Sequence, residues 1–324
     1  MTAPTTRRTP SAQPNPNEGQ PAAGYALEVE HVTKRYGDNT VVDDLTFTVP
    51  PGRVTGFLGP NGSGKSTTMK IMLDLAAADH GRATIDGHRY RDLPDPARTV
   101  GAIVESDAFH PGRSGRNHLR ILAEATGIPD GRVDEILEEV GLGRAANRRA
   151  GAYSLGMRQR LGLAAALLGE PPVLILDEPG NGLDPQGIRT LRDLLRAHAA
   201  KGGTVFVSSH LLSEVEHLAD DVVVINEGRL VTHGALADLQ QSASLVRTDD
   251  PHRLAAALEQ AGATTQPEGA DGLLVRGMAI DEIGERAFTN GIVLHELSPH
   301  AGSLEELFLN WTTAEHETEE VIEP

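Results

Sequence analysis

The sequence predicts an α/β fold with a mixed, mostly parallel sheet core, followed by a small α+β domain at the C-terminal end. Three observations carry this prediction. Between about residues 25 and 240, short apolar or alternating runs are interleaved with longer helical stretches, the pattern of strands joined by crossover helices. A glycine-rich loop lies between the strand Arg53–Leu58 and the helix Lys65–Leu75, a strand–loop–helix opening of the α/β kind. After about Gln240 a second alternation begins and reads βαββαβ, the order of a ferredoxin-like or ACT-like domain.

Each element has a local reason. Residues 1–24 are rich in Pro, Thr, Asn and Ala without apolar periodicity, and are expected to form a disordered tail. In Tyr25–Val32, Leu27 and Val29 alternate with Glu28 and Glu30, as in a half-buried strand. Val41–Phe47 is a second strand, stopped by Pro50-Pro51. From about Pro94 to Leu168 the pattern is mostly helical, with helices at Gly115–Thr126, Arg132–Val140 and Gly156–Leu168 separated by Gly and Pro. A helical subdomain is therefore expected over about residues 96–165. Strands at Val173–Leu176, Thr204–Ser208 and Val222–Asn226 alternate with helices at Pro185–Ala199 and Leu211–Ala219. In the C-terminal region, 241–312, strands are expected at Ala243–Arg247, Ala263–Gln266, Leu273–Arg276 and Ile292–Leu297. Helices are expected at Pro251–Gln260, Ala279–Thr289 and Ser303–Trp311. Residues 313–324 read as a solvated acidic tail.

Composition narrows the function classes. The 324-residue chain has no Cys, which excludes disulfides, thiolate nucleophiles and Cys-ligated metal centres. Forty-six acids stand against 29 Lys and Arg, a net charge of −17, so nucleic acid is not an expected partner. The charge is uneven: residues 242–324 contain 16 acids and four Arg, a net of −12. The longest purely apolar-and-Gly run, Leu161–Gly169, has nine residues, whereas a spanning helix needs about 20. Arg7-Arg8 precedes the polar, Pro-rich stretch Thr9–Gln20 rather than an apolar segment, so no export signal is expected.

Two motifs carry chemistry. The run Gly59-Pro60-Asn61-Gly62-Ser63-Gly64-Lys65-Ser66, followed by Thr67, matches G-x-x-x-x-G-K-[ST] between a strand and a helix. Its glycines let backbone N–H groups curl around phosphate oxygens. Lys65 adds a cation for the β- and γ-phosphates, Ser66 can ligate Mg²⁺, and the helix N-terminus faces the anion. The second motif, Val173–Leu176 followed by Asp177-Glu178, is an apolar strand ending in two acids. Asp177 sits at the C-terminal end of a buried strand and can hold Mg²⁺, while Glu178 can accept a proton from, or orient, an attacking water.

Further segments match one family. Tyr153-Ser154-Leu155-Gly156-Met157, followed by Arg158-Gln159-Arg160, resembles the ABC signature motif, and Asn181-Gly-Leu-Asp-Pro185 resembles its D-loop. His210 falls at the switch histidine, and Tyr36 at the aromatic that stacks on adenine. Motif order and spacing over residues 25–240 are similar to those of an ABC-transporter ATP-binding subunit, and the Tyr153–Met157 form with the appended C-terminal region resembles the branch that serves antibiotic and multidrug exporters. The resemblance implies a P-loop NTPase ABC cassette that binds ATP and Mg²⁺ and hydrolyses ATP for a separate membrane permease. It also implies a location at the cytoplasmic face of the membrane. A second copy would pair head-to-tail, with ATP between the phosphate loop of one copy and Ser154 and Gly156 of the other. Glu178 and His210 would act on the water, and Asp184 would link the two sites.

The chain departs from the family pattern at two places. Glu105 occupies the position of the Q-loop glutamine. It can accept a hydrogen bond but cannot donate one when ionised, and is expected to retain the coupling and Mg²⁺-facing role unless the alignment slips there. Leu155 and Met157 replace a Gly and a Gln of the signature, while Ser154 and Gly156 are kept. The alternative to a transport subunit is an ABC ATPase acting on ribosomes or nucleic acid. Against it, the chain has one phosphate loop, no detectable repeat and no long heptad insertion. His210 and His217 lie about two helical turns apart and do not form a metal-binding pair.

Overall fold

The computed structural model describes residues 24–104, 109–240, 243–300, 304–305 and 307–308. The sequence readings at residues 1–23 and 313–324, and at Glu105, lie outside these.

The N-terminal strands form a sheet of their own. β1 (Leu27–Tyr36), β2 (Asn39–Val49) and β4 (His80–Ile85) are antiparallel in the order β2-β1-β4. The main sheet has six strands in the order β5-β6-β7-β3-β8-β9. They are β3 (Val54–Leu58), β5 (Val100–Ile103), β6 (Val173–Leu176), β7 (Thr204–Ser208), β8 (Asp221–Asn226) and β9 (Arg229–Ala235). Pairing is parallel from β5 to β8, and β9 returns antiparallel as an edge hairpin.

Two apolar layers sandwich the main sheet. On one face Phe47, Phe57 and Phe206 meet with ring centroids 4.9–5.7 Å apart, joining the two sheets together with Val173 and Ile175. On the other face Leu174 and Leu176 join a core with the helices α3 (Gly115–Ala125), α4 (Gly131–Glu139), α5 (Leu155–Leu167) and α6 (Pro185–Ala200). Strand β6 thus alternates between two cores, so every one of its residues is apolar and buried. Caps define the helix starts: Ser114 Oγ accepts from Asn117 N–H, Ser154 Oγ from Met157 N–H and Asp184 Oδ1 from Gly187 N–H.

The remaining helices before residue 240 are α1 (Lys65–Met72), α2 (Pro96–Thr99), α7 (Leu212–Leu218) and α8 (Leu236–Leu239). Beyond them, β10 (Ala243–Thr248), β11 (Thr264–Glu268), β12 (Gly272–Arg276) and β13 (Leu294–His300) form an antiparallel sheet in the order β11-β12-β10-β13. With α9 (Pro251–Glu259) and α10 (Ile280–Thr289) the order is βαββαβ, and Val246, Leu254, Leu258, Val275 and Ile283 form a separate core. Leu304, in the described part of the last predicted helix, returns to the first domain and is fully buried among Leu58, Val215, Val222, Val224 and Leu236.

The structure corrects the stretch read as helical from Pro94. Val100–Ile103 is a strand of the main sheet, so the helical part begins after it. Four apolar residues are too few for periodicity to separate a buried strand from a helical turn. Strands β4 and β9 have no counterpart in the sequence reading: the first half of β4 is exposed, and β9 is a half-exposed edge strand without clean alternation. Among the described residues, no helix is long and apolar enough to cross a membrane.

Candidate active site

The phosphate loop connects β3 to α1. Gly64, the residue before the helix, has φ 101°, and a Cβ there would lie 2.6 Å from Val41 O. A Cβ on Gly59 would lie 2.5 Å from Ile225 O, so β8 and the loop can approach only over a bare α-carbon. No side chain caps the start of α1, which leaves its first backbone donors free to meet an anion. Lys65 is buried in the loop, with Nζ donating to Gly59 O at 2.7 Å and Pro60 O at 3.0 Å. Burial holds its ammonium below the ordinary lysine range, opposed by the charges of Glu178 and Asp177.

The acid pair lies at the end of β6, beside the end of β7. Ser208 Oγ donates to Asp177 Oδ1 at 2.6 Å and accepts from Glu178 N–H at 2.9 Å. Glu178 Oε2 is 2.7 Å from His210 Nδ1. The Glu178 backbone is left-handed, with φ 49°. Its carbonyl accepts from Asn181 N–H at 3.2 Å and from Gln159 Nε2 at 3.1 Å. Glu214, on α7, stands nearby. Burial pushes its carboxyl up, His210 pulls it down, and the charge of Glu178 raises it again.

These groups converge. An open cleft is lined by Val41, Asn61, Gly62, Gly64, Lys65, Ser66, Thr67, Asp177 and Glu178. One buried ammonium, the uncapped start of α1 and two carboxylates lining the same cleft suit a polyanion accompanied by a divalent cation. Ser66 and Asp177 offer the hard oxygen donors that Mg²⁺ prefers. Tyr36 ends β1 in the hairpin that supplies Val41. It is 54% exposed, and Lys34 Nζ lies 5.1 Å from its ring centroid.

Other residues singled out by the sequence sit apart from this cleft. Among the described residues, Ser154 and Gly156 are not part of its lining. They start α5 instead, where a Cβ on Gly156 would lie 2.6 Å from Gly182 O. Asp184 caps α6 and pairs with Arg160 at 3.1 Å. A second cleft, which shares the two acids, is lined by Val104, Leu155, Gln159, Asp177, Glu178, Asn181 and Gly182. Sequence reasoning passed over Ser208 and Gln159. For Ser208 the signal was a hydroxyl at the end of a buried parallel strand, whereas Gln159 lies between Arg158 and Arg160 and carries no local signal of its burial. Among the described residues no group of acids and histidines forms a metal cluster.

Residues 42–181 match the ABC transporter family model, and residues 242–305 match a domain of unknown function (DUF8746). The chain is 37% identical over 293 residues to the bacitracin transport ATP-binding protein BcrA of Enterococcus faecalis, covering 88% of this chain and 95% of that protein. It is 39% identical over 207 residues to the lantibiotic transport ATP-binding protein SrtF of Streptococcus pyogenes, covering 63% of this chain and 89% of that protein. A solved ATP-binding subunit of an ABC transporter superposes with TM-score 0.61 at 33% identity, over 66% of this chain and 91% of that one. A dimeric ATP-binding cassette in a post-hydrolysis state, bound to ADP and Pi, shares the fold with TM-score 0.59 at 23% identity, over 65% of this chain and 98% of that one.

Proposed function

The chain belongs to the ABC transporter family of ATP-binding, ATP-hydrolysing subunits, and from that premise we propose that it energises a separate membrane permease that exports antibiotics or similar lipophilic compounds. The export reading rests on the bacitracin and lantibiotic transport proteins to which it is similar. The observation that supports the ATPase chemistry best is the convergence of Lys65, Ser66, Asp177 and Glu178 on one cleft, with His210 2.7 Å from the Glu178 carboxylate.

In this reading the backbone of residues 59–64, with Lys65 and Thr67, holds the triphosphate, and Tyr36 stacks on the adenine. Ser66 and Asp177 would hold Mg²⁺, which would offset charge on the phosphate oxygens. Glu105 retains the coupling role toward the permease. Glu178 orients the attacking water and accepts its proton, and His210 fixes the Glu178 carboxylate through their contact. Water adds to the γ-phosphorus as the bond to the β–γ bridging oxygen breaks, leaving ADP and inorganic phosphate. A second copy, head-to-tail, presents Ser154 and Gly156 at the start of α5 to the γ-phosphate, and Asp184 lies near the junction. The chain is then held at the cytoplasmic face of the membrane through the permease.

The Glu178→Gln variant tests this. It is expected to keep ATP binding, lose turnover by at least a hundredfold and accumulate as an ATP-bound dimer. Unchanged turnover would remove Glu178 from its role. Co-purification of the full chain from membranes with a polytopic protein tests the permease reading, and recovery only as a free dimer counts against it.

A further inference from the structure

We infer that Gln159 is a positioning residue that fixes the backbone of Glu178, and so the aim of its carboxylate, from the helix that opens with the signature motif. The inference rests on the reading of Glu178 as the group that activates water.

Gln159 is only 3% exposed. A buried amide is costly unless it is hydrogen-bonded, so simple packing would favour Leu or Met at this point of α5. Its Nε2 donates to Glu178 O at 3.1 Å, while its Oε1 has no partner among the described residues. The bond therefore serves the acceptor more than it satisfies the donor side chain.

That acceptor is an unusual one. Glu178 has φ 49°, a region L-residues rarely occupy, and it precedes Pro179, which restricts its backbone further. Such a conformation persists only when its surroundings over-determine it. Here both flanking peptide groups are held. The N–H is anchored on Ser208 Oγ, and the carbonyl is anchored by Asn181 N–H and Gln159 Nε2. With both ends fixed, the side chain projects toward His210.

The anchor also joins two elements. Gly156, in the first turn of α5, packs on Gly182 O, and Gln159, in the next turn, holds Glu178 O. The turn from Glu178 to Gly182 is thus seated on α5 at two points. Displacing α5 displaces the Glu178 carbonyl with it.

Steady-state MgATP hydrolysis by the full chain tests this with Gln159→Met, which keeps reach but removes the donor. The expected result is a fall of about tenfold in kcat, with KM for ATP within twofold of wild type and thermal stability retained. Hydrogen exchange at the Asn181 amide is expected to quicken in the same variant. Wild-type kcat, or a loss of kcat matched by a rise in KM and a lowered Tm, overturns the inference. If Gln159→Met does not fold, Gln159→Asn, whose amide falls one methylene short, is read by the same criteria. Glu178→Gln separates the two levels. If it stays active, the underlying reading of Glu178 fails. If it is inactive while Gln159→Met is fully active, the positioning role alone fails.

Discussion

At the scale of single residues, the acids of the site take their geometry from partners distant in sequence. Asp177 and Glu178 are held by Ser208, 31 and 30 residues further along, and Gln159 lies 19 residues before Glu178. Lys65, Ser66, Asp177 and Glu178 were legible because each sits in a local pattern with its own chemical logic, and His210 through its place in the motif order of the family the chain resembles. Ser208 and Gln159 were not, because a serine ending a strand or a glutamine in a helix is locally commonplace. Two histidines give a pH test of the cassette. Burial holds His198 below the ordinary imidazole value, partly offset by its bond to Pro172 O, and burial then Arg113 hold His118 below it. The unfolded chain therefore takes up these protons first as pH falls, so the stability they leave intact above about pH 6.5 is lost below it. Tm is expected to fall between pH 7 and 5, and His198→Leu to make that fall shallower. An unchanged slope in the variant would contradict the assignment.

At the scale of elements, burial decided which segments the sequence revealed. Strands β6 and β7, buried on both faces, match their predicted bounds of Val173–Leu176 and Thr204–Ser208. Strand β5 lies at the edge of the same sheet, and its four residues carry no period of their own. It is recognisable only by its parallel pairing with β6. Helix α7, which follows His210, packs on β3 over Gly56, where a Cβ would collide with Val215 Cγ1. Gly56→Ala is thus expected to lift α7 from the sheet and cost about 1–3 kcal/mol, read as a lower midpoint in urea with m unchanged. A midpoint equal to wild type would show that the contact yields without strain.

At the scale of the molecule, the chain closes on itself after the C-terminal sheet. Glu216 Oε1, on α7, accepts from Gln240 Nε2 at 2.6 Å and from Leu304 N–H at 3.3 Å, beside the buried Leu304 side chain. Glu216→Ala is expected to speed hydrogen exchange at Leu304 by about tenfold, while β10–β13 keep their protection. Equal exchange in both proteins would show that apolar burial alone holds the segment. The excess negative charge in residues 242–324 is a property of this appended region, while the cassette keeps Lys65 in a cleft built for a polyanion. By itself the sequence determined the phosphate loop, the acid pair, the alternation of strands and helices, and the βαββαβ order. Each depends on residues adjacent in the chain, whose local geometry follows from glycine freedom, side-chain period and capping. The tertiary structure alone decided the separate antiparallel sheet, the place of β5, the clamp of Gln159 and Ser208 on Glu178, and the return of Leu304 to the cassette. Those depend on close packing between distant segments, where one hydrogen bond or one missing Cβ sets the distance and leaves no periodic trace along the chain.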